Sequence, residues 1–90
     1  MGNLVLTRKA GQSVKIGDSL VLTIREVHPA KVYIVETVNG SSCACWVRLG
    51  DSGDAVEGCR VTIAEINRGH VKLLFDADRS IKIIRSELLP

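Results

Sequence analysis

This sequence predicts an all-β fold of small antiparallel sheets arranged as a sandwich or collapsed barrel. Val, Ile, Leu and Thr come in runs of about five to eight residues, Gly, Asn, Asp, Ser and Pro bound those runs, and no stretch reads convincingly as a helix. Strands are predicted over 3–9, 14–16, 20–27, 31–37, 42–48, 59–66, 71–76 and 81–85. The first two are apolar runs, the second stopping at Gly17-Asp18. The third and fourth are joined at His28-Pro29, where proline fixes φ, and the fourth ends at Asn39-Gly40, a pair that adopts positive φ readily. The fifth runs to Arg48, and residues 50–58, framed by Gly50 and Gly58, read as a loop. The last three are separated by Asn67-Arg68-Gly69 and by a link around 76–78.

Ninety residues with 46% apolar content and eight glycines describe one globular domain, 1–90, with a modest core. Twelve Lys and Arg against ten Asp and Glu leave a net charge of +2, so a polyanion site has to come from local clustering. Cys43, Cys45 and Cys59 are an odd number with no secretory pattern before them, which favours a reducing, cytoplasmic setting. No apolar run approaches the roughly 20 residues that span a bilayer, so a soluble protein without membrane contact is expected.

The middle of the chain repeats itself. Thr23 to Val27 followed by Val32 to Val35 reappears as Thr62 to Ile66 followed by Val71 to Leu74, at a constant offset of 39 residues (62 − 23 and 71 − 32). Two unrelated apolar hairpins would also look alike. A partial duplication is the stronger reading: the third and fourth strands occur twice and the first two once, with 19–58 as an insertion or duplicated segment.

Leu4-Val5-Leu6-Thr7-Arg8-Lys9-Ala10-Gly11-Gln12, then Val14-Lys15-Ile16-Gly17-Asp18, and a final stretch from Arg60 to Leu89 that includes Arg85-Ser86-Glu87-Leu88, together resemble the CsrA/RsmA carbon storage regulator family over about two thirds of the chain. The resemblance implies intertwined sheets and an RNA site that joins a first strand to a last strand. Leu6, Thr7, Arg8 and Lys9 would line one side of it, and Ile84 and Arg85 the other. The implied ligand is an mRNA or small regulatory RNA with an exposed GGA loop, typically overlapping a ribosome-binding site, so that occupancy blocks translation initiation. Cys43 to Arg48 then reads as a degraded counterpart of the closing strand. Two assemblies follow: a homodimer with two sites, or a single-chain pseudo-dimer in which the Arg85 strand joins the Arg8 strand in cis and leaves one site.

The residues themselves suit this chemistry. Arginine reads guanine because its planar fork donates to O6 and N7 together. One Trp, one Tyr and one Phe cannot build the aromatic platform of stacking RNA binders. The plainer reading of Arg8, Lys9 and Arg85 is a charged strand edge that prevents aggregation. Cys43-x-Cys45 with a distant Cys59 lacks the paired spacing of zinc sites, so buried thiols and no metal are expected. Trp46 reads as a core or interface residue, and His28 and His70 as exposed residues beside turns. No catalytic constellation or nucleotide fingerprint appears, so neither enzyme activity nor a cofactor is expected. The alternatives to an RNA-binding regulator are a protein-interaction module and a structural β module on the same scaffold.

Overall fold

The structure, a computed structural model, describes residues 2–56 and 58–85. It is all-β, and the described residues contain no helix. The described residues form nine strands: β1 (Gly2–Lys9), β2 (Ser13–Ile16), β3 (Leu20–Val27), β4 (Lys31–Val38), β5 (Ser41–Arg48), β6 (Ser52–Val56), β7 (Cys59–Asn67), β8 (His70–Ala77) and β9 (Ile83–Arg85). The predicted loop over 50–58 is corrected, since it contains β6. Two antiparallel sheets form, one in the order β1-β8-β7-β6 and the other β5-β4-β3-β2-β9.

The 39-residue offset governs the whole architecture. In β1–β8, Gly2 pairs with Ala77 and Leu6 with Leu73; in β5–β4, Ser41 pairs with Val38 and Cys45 with Ile34. Adding 39 to one partner and subtracting it from the other turns the first register into the second. Ser13 faces Thr23 in β2–β3 as Ser52 faces Thr62 in β6–β7. The bulges fall at Ile24/Glu26 and Ile63/Glu65. Even the turn contacts repeat: Gly11 N–H donates to the Ile24 carbonyl at 2.7 Å, and Gly50 N–H donates to the Ile63 carbonyl at 2.8 Å. Both glycines need φ near +90°, where a Cβ would be strained.

Residues 2–38 and 41–77 are therefore two copies of one four-strand unit related by a pseudo-twofold axis, and each sheet takes strands from both copies. The equivalence is wider than the two strands expected to recur. Two sequence readings are corrected by it. The first two strands do have second copies, β5 and β6, and β5 stands in the place of β1 rather than that of the closing strand. Sequence had missed this because Cys43, Cys45 and Val47 share little but β alternation with Leu4, Leu6 and Arg8.

The core lies between the sheets and is symmetric at its centre. Leu20, Leu22, Ile24, Val32 and Ile34 are buried, and so are their equivalents Cys59, Val61, Ile63, Val71 and Leu73. Toward one end it is lopsided. Leu6, Val14, Ile16 and Phe75 are buried, whereas the matching positions hold Cys45, Gly53, Ala55 and Glu36, none of them fully buried. Packing is thus full where β1, β2 and β8 meet, and thin at the equivalent place.

Candidate RNA-binding surface

Alternation along β1 decides what its residues can do. Leu6 and Arg8 are buried, while Thr7 and Lys9 are exposed. Arg8 is 3% exposed, the one charged residue that is buried among the described residues. Its Nε donates to the Thr7 carbonyl at 2.9 Å and its Nη1 to the Ser13 carbonyl at 3.3 Å. A guanidinium so placed ties β1 in one sheet to the start of β2 in the other. Lys9 is fixed through its backbone, whose N–H donates to Gln12 Oε1 at 2.9 Å.

The closing strand arrives at the same place. β9 pairs with β2, setting Arg85 opposite Val14 and Ile84 opposite Lys15. Val14 directly follows Ser13, whose carbonyl Arg8 holds. Chain ends some 80 residues apart in sequence are thereby gathered around one short strand, within a single chain. Arg85 is exposed there and Ile84 half-buried.

The exposed side of β1 adds groups that sequence reasoning did not single out for this site. Thr7 lies opposite Lys72 and Lys9 opposite His70. Thr7, Glu65, Asn67, Arg68, His70 and Lys72 line a shallow hollow of about 260 Å³. Lys72 Nζ sits 3.1 Å from Glu65 Oε2. Arg68 reaches the rim from a turn with φ of 52°. Antiparallel pairing of β1 with β8 creates this basic flank, and no spacing along the chain announces it. Nor does residue type announce Arg8's burial: it shares one side of β1 with buried Leu6 and with Leu4, which is exposed.

The pseudo-equivalent surface has different chemistry. Trp46 occupies the place of Thr7, Val47 that of Arg8, Tyr33 that of Lys72 and Lys31 that of His70. Trp46 is 44% exposed, which overturns the core half of its reading as a core or interface residue. It packs beside Tyr33 at 4.9 Å and His28 at 5.1 Å between ring centroids, with Lys31 Nζ 4.5 Å from its own ring centre. A cross-strand cation–π cluster stabilises the hairpin and leaves this end without a buried arginine.

The cysteine expectation also needs correction. Cys59 is buried, but Cys43 and Cys45 are exposed; Cys45 stands where buried Leu6 stands and is left uncovered by the thin end of the core, whereas Cys43 stands where Leu4 is exposed too. Partial burial still raises the Cys45 thiol pKa, helped by the charges of Glu36 and then Cys43. Among the described residues no cluster of three or more His, Cys, Asp or Glu could hold a metal ion. With a thiol-titrating disulfide reagent, two cysteines should react in the native protein and the third only on unfolding; three fast thiols would contradict the burial of Cys59.

Comparison with protein-family models, curated proteins and solved structures finds no match to this chain. No helix among the described residues is long and apolar enough to cross a membrane.

Proposed function

We propose that this protein is a CsrA-like, post-transcriptional RNA-binding regulator of the cytoplasm that captures exposed GGA sequence in mRNA or small RNA and modulates translation initiation. The observation that supports this most is the meeting of β1 and β9 around β2, with Arg85, Thr7 and Lys9 exposed on the strands that the family resemblance assigns to RNA. In this reading Arg85 contacts guanine and Thr7 and Lys9 contact the RNA backbone. Leu6 and Ile84 shape the floor, and Arg8 acts as a positioning residue that locks β1 to β2. Arg68 and Lys72 extend the cationic flank. One site per chain is proposed, because Val47 replaces Arg8 at the pseudo-equivalent end.

A gel-shift titration with a GGA-loop hairpin tests it. Arg85→Ala should weaken binding by about 1–3 kcal/mol, roughly 5- to 150-fold, as for an arginine that reads a base. The far-UV CD spectrum should not change. Equal affinity of the variant and the parent, or equal affinity for a hairpin lacking GGA, would reject the reading.

A further inference from the structure

The pseudo-symmetry leaves one strand position empty. β2 and β6 are equivalent, and β9 covers the outer edge of β2, but among the described residues no strand pairs with the outer edge of β6. The ladder partners of β9 are Val14, Lys15 and Ile16, whose equivalents are Gly53, Asp54 and Ala55. Gly17 N–H donates to the Lys82 carbonyl at 2.8 Å, so Lys15, two residues earlier, also turns its backbone groups toward β9. Asp54 accordingly turns its own toward the open edge.

A hollow of about 130 Å³ lies beside that edge, walled by Leu22, Ile34, Cys45, Val47, Ala55 and Ile63. On the covered side the space is taken by Val14, Ile16, Leu6 and Phe75, and Ile81 and Ile83 pack on the core from the closing segment. The open side has lost four large side chains and a strand together. It has gained acid: Glu36 stands where Phe75 stands, and Asp54 where Lys15 stands. Glu36 lines the hollow, and burial raises its carboxyl pKa. Asp54 is met by Arg60 at only 3.7 Å.

We propose that the β6 edge is a strand-addition site that takes an extended, basic, β-branched segment of another protein, antiparallel to β6, with an aliphatic side chain entering the hollow opposite Ala55. The chain's own Ile81-Lys82-Ile83-Ile84-Arg85 shows the chemistry that fills the equivalent position on β2. A second copy is a poor occupant. A chain that lends its β9 uncovers its own β2, so no edge is gained, and the tethered strand competes at a high effective concentration. Pairing β6 with β6 about its middle residue sets Asp54 against its own copy, and like charges directly opposite destabilise a ladder. A basic partner strand instead meets Asp54 and Glu36 favourably, through the backbone pairing that open edges offer.

A fluorescein-labelled peptide with the sequence of residues 79–85 is the probe, followed by anisotropy and by amide shifts in a ¹⁵N-labelled full chain. The expected result is saturable binding of one peptide per chain, with shifts concentrated at Gly53 to Ala55. Asp54→Pro, which removes an edge N–H, should abolish binding. Asp54→Lys should weaken it at least fivefold at low salt, and it serves alone if the proline variant does not fold. A peptide with Arg79, Lys82 and Arg85 replaced by Glu should not bind. Shifts centred on Ser13 to Ile16, unchanged affinity in Asp54→Lys, or a doubled mass of the peptide-free protein would each overturn the proposal. No RNA is present, so the outcome is independent of the RNA-binding reading.

Discussion

Phe75→Ala is expected to cost about 3–5 kcal/mol of stability, the range for removing a fully buried aromatic side chain. Phe75 is 0% exposed and sits on β8 between Leu4 of β1 and Val61 of β7. Truncation therefore removes apolar burial and opens a cavity in the core cluster. A domain of this size holds only about 5–15 kcal/mol in total, so the variant should be near the edge of folding. Urea melts should show a lower midpoint with the slope unchanged. Its equivalent Glu36 provides the internal control, since Glu36→Ala at that half-exposed position should stay within about 0.5 kcal/mol of the parent. A loss below about 1 kcal/mol in Phe75→Ala would contradict the lopsided core.

Arg8→Ala should follow, at about 2–3 kcal/mol, because a buried guanidinium that donates to main-chain carbonyls contributes charge-assisted hydrogen bonds. The Thr7 and Ser13 carbonyls lose those donors, and β1 loses its tie to β2. Arg8→Met keeps much of the stem and should still destabilise, which separates the lost hydrogen bonds from the lost volume. Arg85 is exposed, so Arg85→Ala should leave stability within about 0.5 kcal/mol. Arg8 should thus be read in chemical melts and Arg85 in RNA affinity. Equal stability of Arg8→Ala and the parent would make the buried geometry of that arginine incidental.

The all-β class and most strands were legible because Val, Ile and Leu runs end at turn residues with definite backbone preferences, as at Asn39-Gly40. β6 was not, since Ser52-Gly53-Asp54-Ala55 is made of residues that favour turns and weaken strands. Only its place in the repeat, opposite Thr62 as Ser13 is opposite Thr23, accounts for it. The repeat in the central strands was visible because Thr23-Ile24 and Thr62-Ile63 kept their identity in the core. The repeat in β1 and β5 was hidden, because the positions of Leu6, Thr7 and Arg8 are held by Cys45, Trp46 and Val47, which share no residue type with them. For the site, the two ends carrying Arg8 and Arg85 could be matched by residue type. That one is buried against carbonyls and the other exposed depends on strand register, as does the flank of Arg68 and Lys72.

Native mass spectrometry of the protein with a GGA-loop hairpin, supported by sedimentation at micromolar concentration, tests the central claim most directly. The 39-residue pseudo-symmetry places both four-strand units and the closing strand in one chain, so the expected species is one chain of 9.8 kDa with one RNA. Arg85→Ala should remain a single chain and lose the RNA. A complex of two chains with two RNAs, or a monomer that binds no GGA hairpin at all, would contradict the account.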